Sequence, residues 1–181
     1  MTAPRVFLSH TSRMARLPEG CSFVHAALDA LIAADLLPRD MQFFAADDRT
    51  PAEVCINAVR RCDVYVGIFG LDYGSPVHDR PDVSYTQLEF ETALERRKTH
   101  GMRVFAFLLD DQAADEGWGP LEPRQEEFRQ RVLDSGLTAA FFVTAGDLQH
   151  LVYRTFQQPP SRSDRPMQHG TALAHPIHAN R

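Results

Sequence analysis

DVYVGIFG, residues 63–70, is an unbroken apolar run of strand-forming residues that closes on a glycine. An alternating run would mark a sheet with one wet face. A continuous run marks a strand covered on both faces, which is the habit of parallel sheets. Other stretches ask for the same architecture. RVFLS (5–9) and RVFAFLLDD (103–111) are further short apolar runs, and MQFFA (41–45) and TAAFFVT (138–144) supply a second and a fifth strand.

Helical patterns separate these runs. Ser22 caps FVHAALDALIAADLL, in which Phe23, Ala27, Ala30, Leu31 and Ala34 recur at helical spacing. In DDRTPAEVCINAVRRC (47–62), Thr50 is the N-cap, Pro51 takes the first helical position and Glu53 closes a capping box. Ser84 caps YTQLEFETALERR, with Gln87 three residues on. RQEEFRQRVLDSG (124–136) is amphipathic and stops at Gly136, and GDLQHLVYRTFQQ (146–158) is a last helix. Strand and helix alternate five times. The expected class is therefore α/β, a doubly wound, flavodoxin-like five-stranded parallel sheet with helices on both faces. Residues 1–157 make up this domain. From 158 to 181 periodicity and large apolar residues fall away, as in a disordered tail or a linker.

Composition narrows the function. The chain has 181 residues, 44% hydrophobic and 24% charged, enough apolar material for one sizeable core. A formal net charge of −5 argues against non-specific nucleic-acid binding. No run approaches the ~18 apolar residues of a membrane span. The start, MTAPRVFLSH, lacks the features of a signal peptide. Three cysteines, Cys21, Cys55 and Cys62, form no CxxC pair and read as reduced thiols of a cytoplasmic protein. There is no GxGxxG, GxxxxGK[ST], HExxH or GxSxG, so the common nucleotide, metal and hydrolase signatures are missing and no cofactor is expected.

In doubly wound sheets ligands bind beyond the carboxyl ends of the strands, where the strand order reverses. That directs attention to three polar loops: SHTSRMARLPEG after the first strand, ADDRT after the second and LDYGSPVHDRPDV after the third. Ser9, His10, Thr11 and Ser12 supply hydroxyls and an imidazole suited to a phosphate or a ribose, or to a solvated loop with local hydrogen bonds. Downstream of the third loop stands Glu89. Propensity alone makes it an ordinary surface residue of a helix, sharing a side with Tyr85, Ala93 and Arg96, and Glu91 faces outward.

Three segments together resemble Toll/interleukin-1 receptor (TIR) domains. VFLSHTS (6–12) is similar to their first strand and loop. DVYVGIFGLDYGSP followed by SYTQLEFETAL is similar to their central strand, loop and next helix. That helix in TIR domains carries an aromatic–Cys–x–x–Glu pattern, and here Tyr85-Thr86-Gln87-Leu88-Glu89 stands in its place. Over about residues 5–156 the phrasing is closer still to the uncharacterised TIR-related domain at the start of bacterial STAND-type signalling NTPases. The resemblance implies the sandwich already reached, and a signalling or defence role. It puts Glu89 at the position of the catalytic glutamate, with cleavage of the nicotinamide–ribose N-glycosidic bond of NAD as the activity and NAD as substrate. Ser9, His10, Thr11 and Ser12 would then contact phosphate or ribose, and Tyr73 or Tyr85 would stack on a base. Self-association and a fused or partner STAND NTPase are the implied partners. Three departures stand out: Thr86 replaces the cysteine, the LDYGSPVHDRPDV loop is long, and AADDRTPAE lacks the usual glycine. Two alternatives stay open, a non-catalytic self-assembly module and a nucleoside deoxyribosyltransferase-like enzyme.

Overall fold

The computed structural model describes residues 3–40, 48–112 and 118–157. The elements run β1 (Arg5–His10), α1 (Phe23–Ala33), β2 (Leu37–Asp40), α2 (Pro51–Arg60), β3 (Val64–Phe69), β4 (Pro76–Val77), β5 (Arg80–Ser84), α3 (Tyr85–His100), β6 (Arg103–Leu109), α4 (Pro123–Asp134), β7 (Ala140–Phe142) and α5 (Ala145–Gln157). Five strands form one parallel sheet in the order β2-β1-β3-β6-β7. This is the flavodoxin-like order, and it reverses between β1 and β3.

The strand period of two divides the core. Val6, Leu8, Val64, Val66, Ile68, Phe107 and Leu109 turn to one face, where Phe23, Val24 and Leu31 of α1 and Leu148 and Val152 of α5 cover them. Phe7, Tyr65, Phe69, Val104, Ala106 and Leu108 turn to the other, against Val59 of α2, Phe90 and Ala93 of α3, and Phe128 and Val132 of α4. Every residue of β3 is buried, as the apolar run 63–70 requires. Gly67 has a steric purpose. A Cβ there would lie 2.3 Å from the Phe69 ring, which folds back across the strand.

The caps fall where the sequence puts them. Ser22 accepts from the His25 N–H, and Thr50 and Glu53 close a reciprocal capping box. Ser84 accepts from the Gln87 N–H, and Gly101 ends α3 in the left-handed region.

Two expectations need correction. The second strand is Leu37–Asp40, ahead of the expected 41–45, which lie outside the described residues. The helix before it stops early: Asp35 adopts φ 57° and the Leu36 N–H bonds back to the Leu31 carbonyl (3.0 Å). The chain thus reverses by residue 37, whose N–H already pairs with the Pro4 carbonyl (3.0 Å). Pro38 is tolerated because β2 is an edge strand. Secondly, the loop after β3 is not irregular throughout, for β4 and β5 form an antiparallel hairpin that delivers the chain to the start of α3. The tail, 158–181, lies outside the described residues.

Candidate functional site: a buried carboxylate at the carboxyl end of the central strands

Glu89 is not the surface residue that propensity suggests. It is 5% exposed, on the α3 side that faces the sheet. Ser9, the penultimate residue of β1, donates its hydroxyl to Glu89 Oε2. Cys55, in the second turn of α2, donates its thiol to Glu89 Oε1 at 2.8 Å. The carboxylate is thus gripped from the sheet and from the neighbouring helix at once. Tyr65, fully buried on β3, brings its hydroxyl beside the same group. Among the described residues that hydroxyl has no hydrogen-bond partner of ordinary geometry.

The electrostatics agree with this arrangement. Burial, then the charge of Glu89 and its hydrogen bond, push the Cys55 thiol far above its ordinary pKa, so it keeps its proton and serves as a donor. Burial and then Glu89 likewise raise Tyr65 well above the usual phenol range, with Ser9 pulling slightly the other way. Three neutral proton carriers therefore surround one carboxylate.

The sheet ends decide where this group sits. Ser9 pairs with Gly67 across the β1–β3 junction, beside the reversal in strand order. The loops leaving β1 and β3 meet there. Thr11 donates to Asp72 (3.0 Å), and Gly74, at φ +80°, comes so close that a Cβ would lie 3.0 Å from Thr11 and 3.7 Å from the Thr86 hydroxyl. Thr86 is three residues before Glu89 on α3. Asp72 is itself partly buried, and that burial raises its pKa against the weaker lowering by Thr11.

The residues expected to form the site divide into two groups. Ser9 touches Glu89 directly. Tyr85, half-buried at the first position of α3, stands one turn before Glu89 on the same side. His10 is half-buried, and its Nδ1–H donates to the Thr11 carbonyl (2.9 Å), while Ser12 is exposed. Tyr73 is employed elsewhere. Its hydroxyl accepts from the Ser84 N–H (3.1 Å) and faces Gln87 and the Asp82 carbonyl, and its ring lies under the Arg124 guanidinium at 4.5 Å. In this structure it anchors the hairpin and offers no open face to a base. Glu91 is exposed, as expected, and accepts from Gln87 (2.7 Å).

Cys55, Tyr65 and Asp72 were not singled out by the sequence. Tyr65 did leave a signal, as a phenol inside an otherwise apolar strand whose register places it on the Ser9 side. Cys55 left none, because nothing in one sequence says which side of α2 meets α3. Among the described residues no cluster of His, Cys, Asp and Glu is arranged to hold a metal ion, and no helix is long and apolar enough to cross a membrane.

Residues 22–157 match the family model described as "Domain of unknown function (DUF4062)". The chain belongs to this DUF4062 family. No curated protein matches it in sequence. Among solved structures it is similar to the TIR domains of the activated Roq1 resistosome that directly recognizes the pathogen effector XopQ. That similarity is 14% identity over 86% of this chain and 84% of that one, with a TM-score of 0.48. The DUF4062 match takes in α1 through α5, and therefore Cys55, Tyr65, Asp72 and Glu89, whereas Ser9 lies before it.

Proposed function

We propose that this DUF4062 domain is a TIR-like signalling domain that cleaves the nicotinamide–ribose bond of NAD, with Glu89 as the working acid. One observation carries the reading: a buried carboxylate turns inward onto Ser9 at the carboxyl end of β1, beside the reversal in strand order.

The chemistry suits a single carboxylate. Nicotinamide in NAD is already cationic, so it leaves with the electron pair of the C1′–N bond as a neutral base and needs no proton donor. Positive charge then develops on the ribose ring. A fixed carboxylate in a water-poor site stabilises that charge, worth about 3–4 kcal/mol of barrier for one well-placed group. Water adds at C1′ and releases a proton. The β1 tip, with His10, Thr11 and Ser12, lies where phosphate or ribose would rest, and Tyr85 is the aromatic ring on the Glu89 side of α3. Self-association and a fused STAND NTPase in the cytoplasm fit this role.

A second reading, N-glycosidic transfer from a nucleoside, is favoured by Asp72. A neutral base leaves only when protonated, and Asp72, hydrogen-bonded to Thr11, is an acid whose proton is held more tightly than usual.

The test is nicotinamide release by concentrated protein, wild type against Glu89→Ala, with folding checked by circular dichroism. Turnover that disappears in a folded variant supports the reading. No turnover in either protein, with crowding agent present, moves the assignment to a self-assembly module.

A further inference from the structure

Resting on that reading, we propose that Cys55 is a positioning residue for Glu89. Its thiol, delivered by α2, fixes the plane of the carboxylate by holding Oε1 while Ser9 holds Oε2. The terminal torsion of a glutamate is intrinsically loose, with a broad two-fold profile. A single donor on one oxygen leaves the carboxylate free to swing about that contact. Two donors arriving from different elements, one from the sheet and one from a helix, remove that freedom. A carboxylate oxygen accepts more than one hydrogen bond, so neither contact by itself spends the oxygen.

The thiol is suited to the task. Cys55 is completely buried, so water does not compete for its proton. It lies in the second turn of a helix with a capping box and a proline at its start, which fixes where that turn sits. The sulfur is a weak donor and a weak acceptor, so it orients the group without tying up the charge as an ammonium or guanidinium would. Burial and the facing carboxylate both disfavour the thiolate, which leaves Cys55 a donor and removes it as a nucleophile. Tyr65 stands on the sheet side of the same group, with its ring on the strand face that also carries Ser9.

The test has two arms. In the first, nicotinamide release is measured for wild type, Cys55→Ala and Cys55→Ser. Cys55→Ala is expected to lose about tenfold in kcat with KM nearly unchanged, and Cys55→Ser to recover most of that loss because a hydroxyl restores the donor. The pH profile of Cys55→Ala should move with the loss, since the carboxylate has lost one of its donors; a cysteine that only fills space would leave the profile in place. A folded Cys55→Ala with unchanged kcat overturns the proposal, as does a Cys55→Ser no better than Cys55→Ala.

The second arm needs no turnover. The S–H stretch of Cys55, recognised by its loss in Cys55→Ser, should lie at lower frequency in wild type than in Glu89→Leu. If wild type releases no nicotinamide, the enzyme reading fails, yet a shifted band still supports the hold on Glu89. A band that ignores Glu89→Leu overturns the hold whatever the activity.

Discussion

The two faces of the sheet are built from the same strands and do different things. Towards α1 and α5 the described residues form an apolar cluster, with Phe23 against Trp118 and Phe142 (ring centroids 6.1 and 5.2 Å apart) over Val6, Leu8 and Val66. Towards α2, α3 and α4 an aromatic trio, Phe69, Phe90 and Phe128, shares the face with a carboxylate, a thiol, a serine and a phenol. Burying an ionised carboxylate is costly unless donors meet it. The first face is what stability alone would select. The second buries a group that stability alone would remove, and it is the face that holds the candidate site.

This contrast can be broken on the apolar side first. Phe23→Ala should lose about 3–5 kcal/mol in urea unfolding, because it empties a site enclosed by two aromatic rings. Nicotinamide release per folded molecule should be untouched. Gly67→Ala attacks the polar face by overpacking. The added methyl meets the Phe69 ring and should cost about 1–3 kcal/mol, read from the same titration. Thr50→Ala should cost about 1 kcal/mol by opening the capping box of α2. It should also weaken turnover, since α2 carries the thiol that meets Glu89; a loss of stability with turnover intact would separate the two faces less sharply than proposed.

The smallest effects contrast the two ends of β3. Asp63 precedes it and Asp72 follows it. The Arg5 backbone N–H, and then its guanidinium, hold Asp63 below the usual carboxylate range, whereas burial raises Asp72. Asp63 therefore contributes stability that is present above the unfolded value of about 3.9 and is lost as pH falls through its folded value. Asp72 contributes in the opposite sense: its term is present below about 3.9 and is lost as pH rises through its folded value. Asp63 is half exposed, so its share should stay under about 1 kcal/mol. Unfolding midpoints of Asp63→Asn and Asp72→Asn against pH should depart from wild type in opposite directions at neutral pH.

Much of the fold was legible because its signals are local. The caps at Ser22, Thr50 and Ser84 and the apolar run of β3 each state their own structure. The β2 boundary was not, because the reversal at Asp35 depends on a left-handed residue that carries no glycine. The hairpin at 76–84 was hidden behind two prolines and held by Tyr73 from outside it. For the candidate site, the meeting of Glu89 with the end of β1 was legible and the burial of Glu89 was not. The TIR resemblance pointed to Glu89 and Ser9, but only the packing of α2 on α3 brings Cys55 to them, 34 residues away in the chain.

The most direct test of the central claim is Glu89→Gln, measured at once for thermal unfolding and for nicotinamide release. Glutamine keeps the shape: its amide oxygen still accepts from one of Ser9 and Cys55, and the other turns to accept from its NH2 group. The account predicts a melting temperature equal to or above that of wild type, with release reduced about 100-fold or more. A variant that melts earlier while its turnover stays at the wild-type level would contradict it, and would make Glu89 a structural strut of the α2–α3 face.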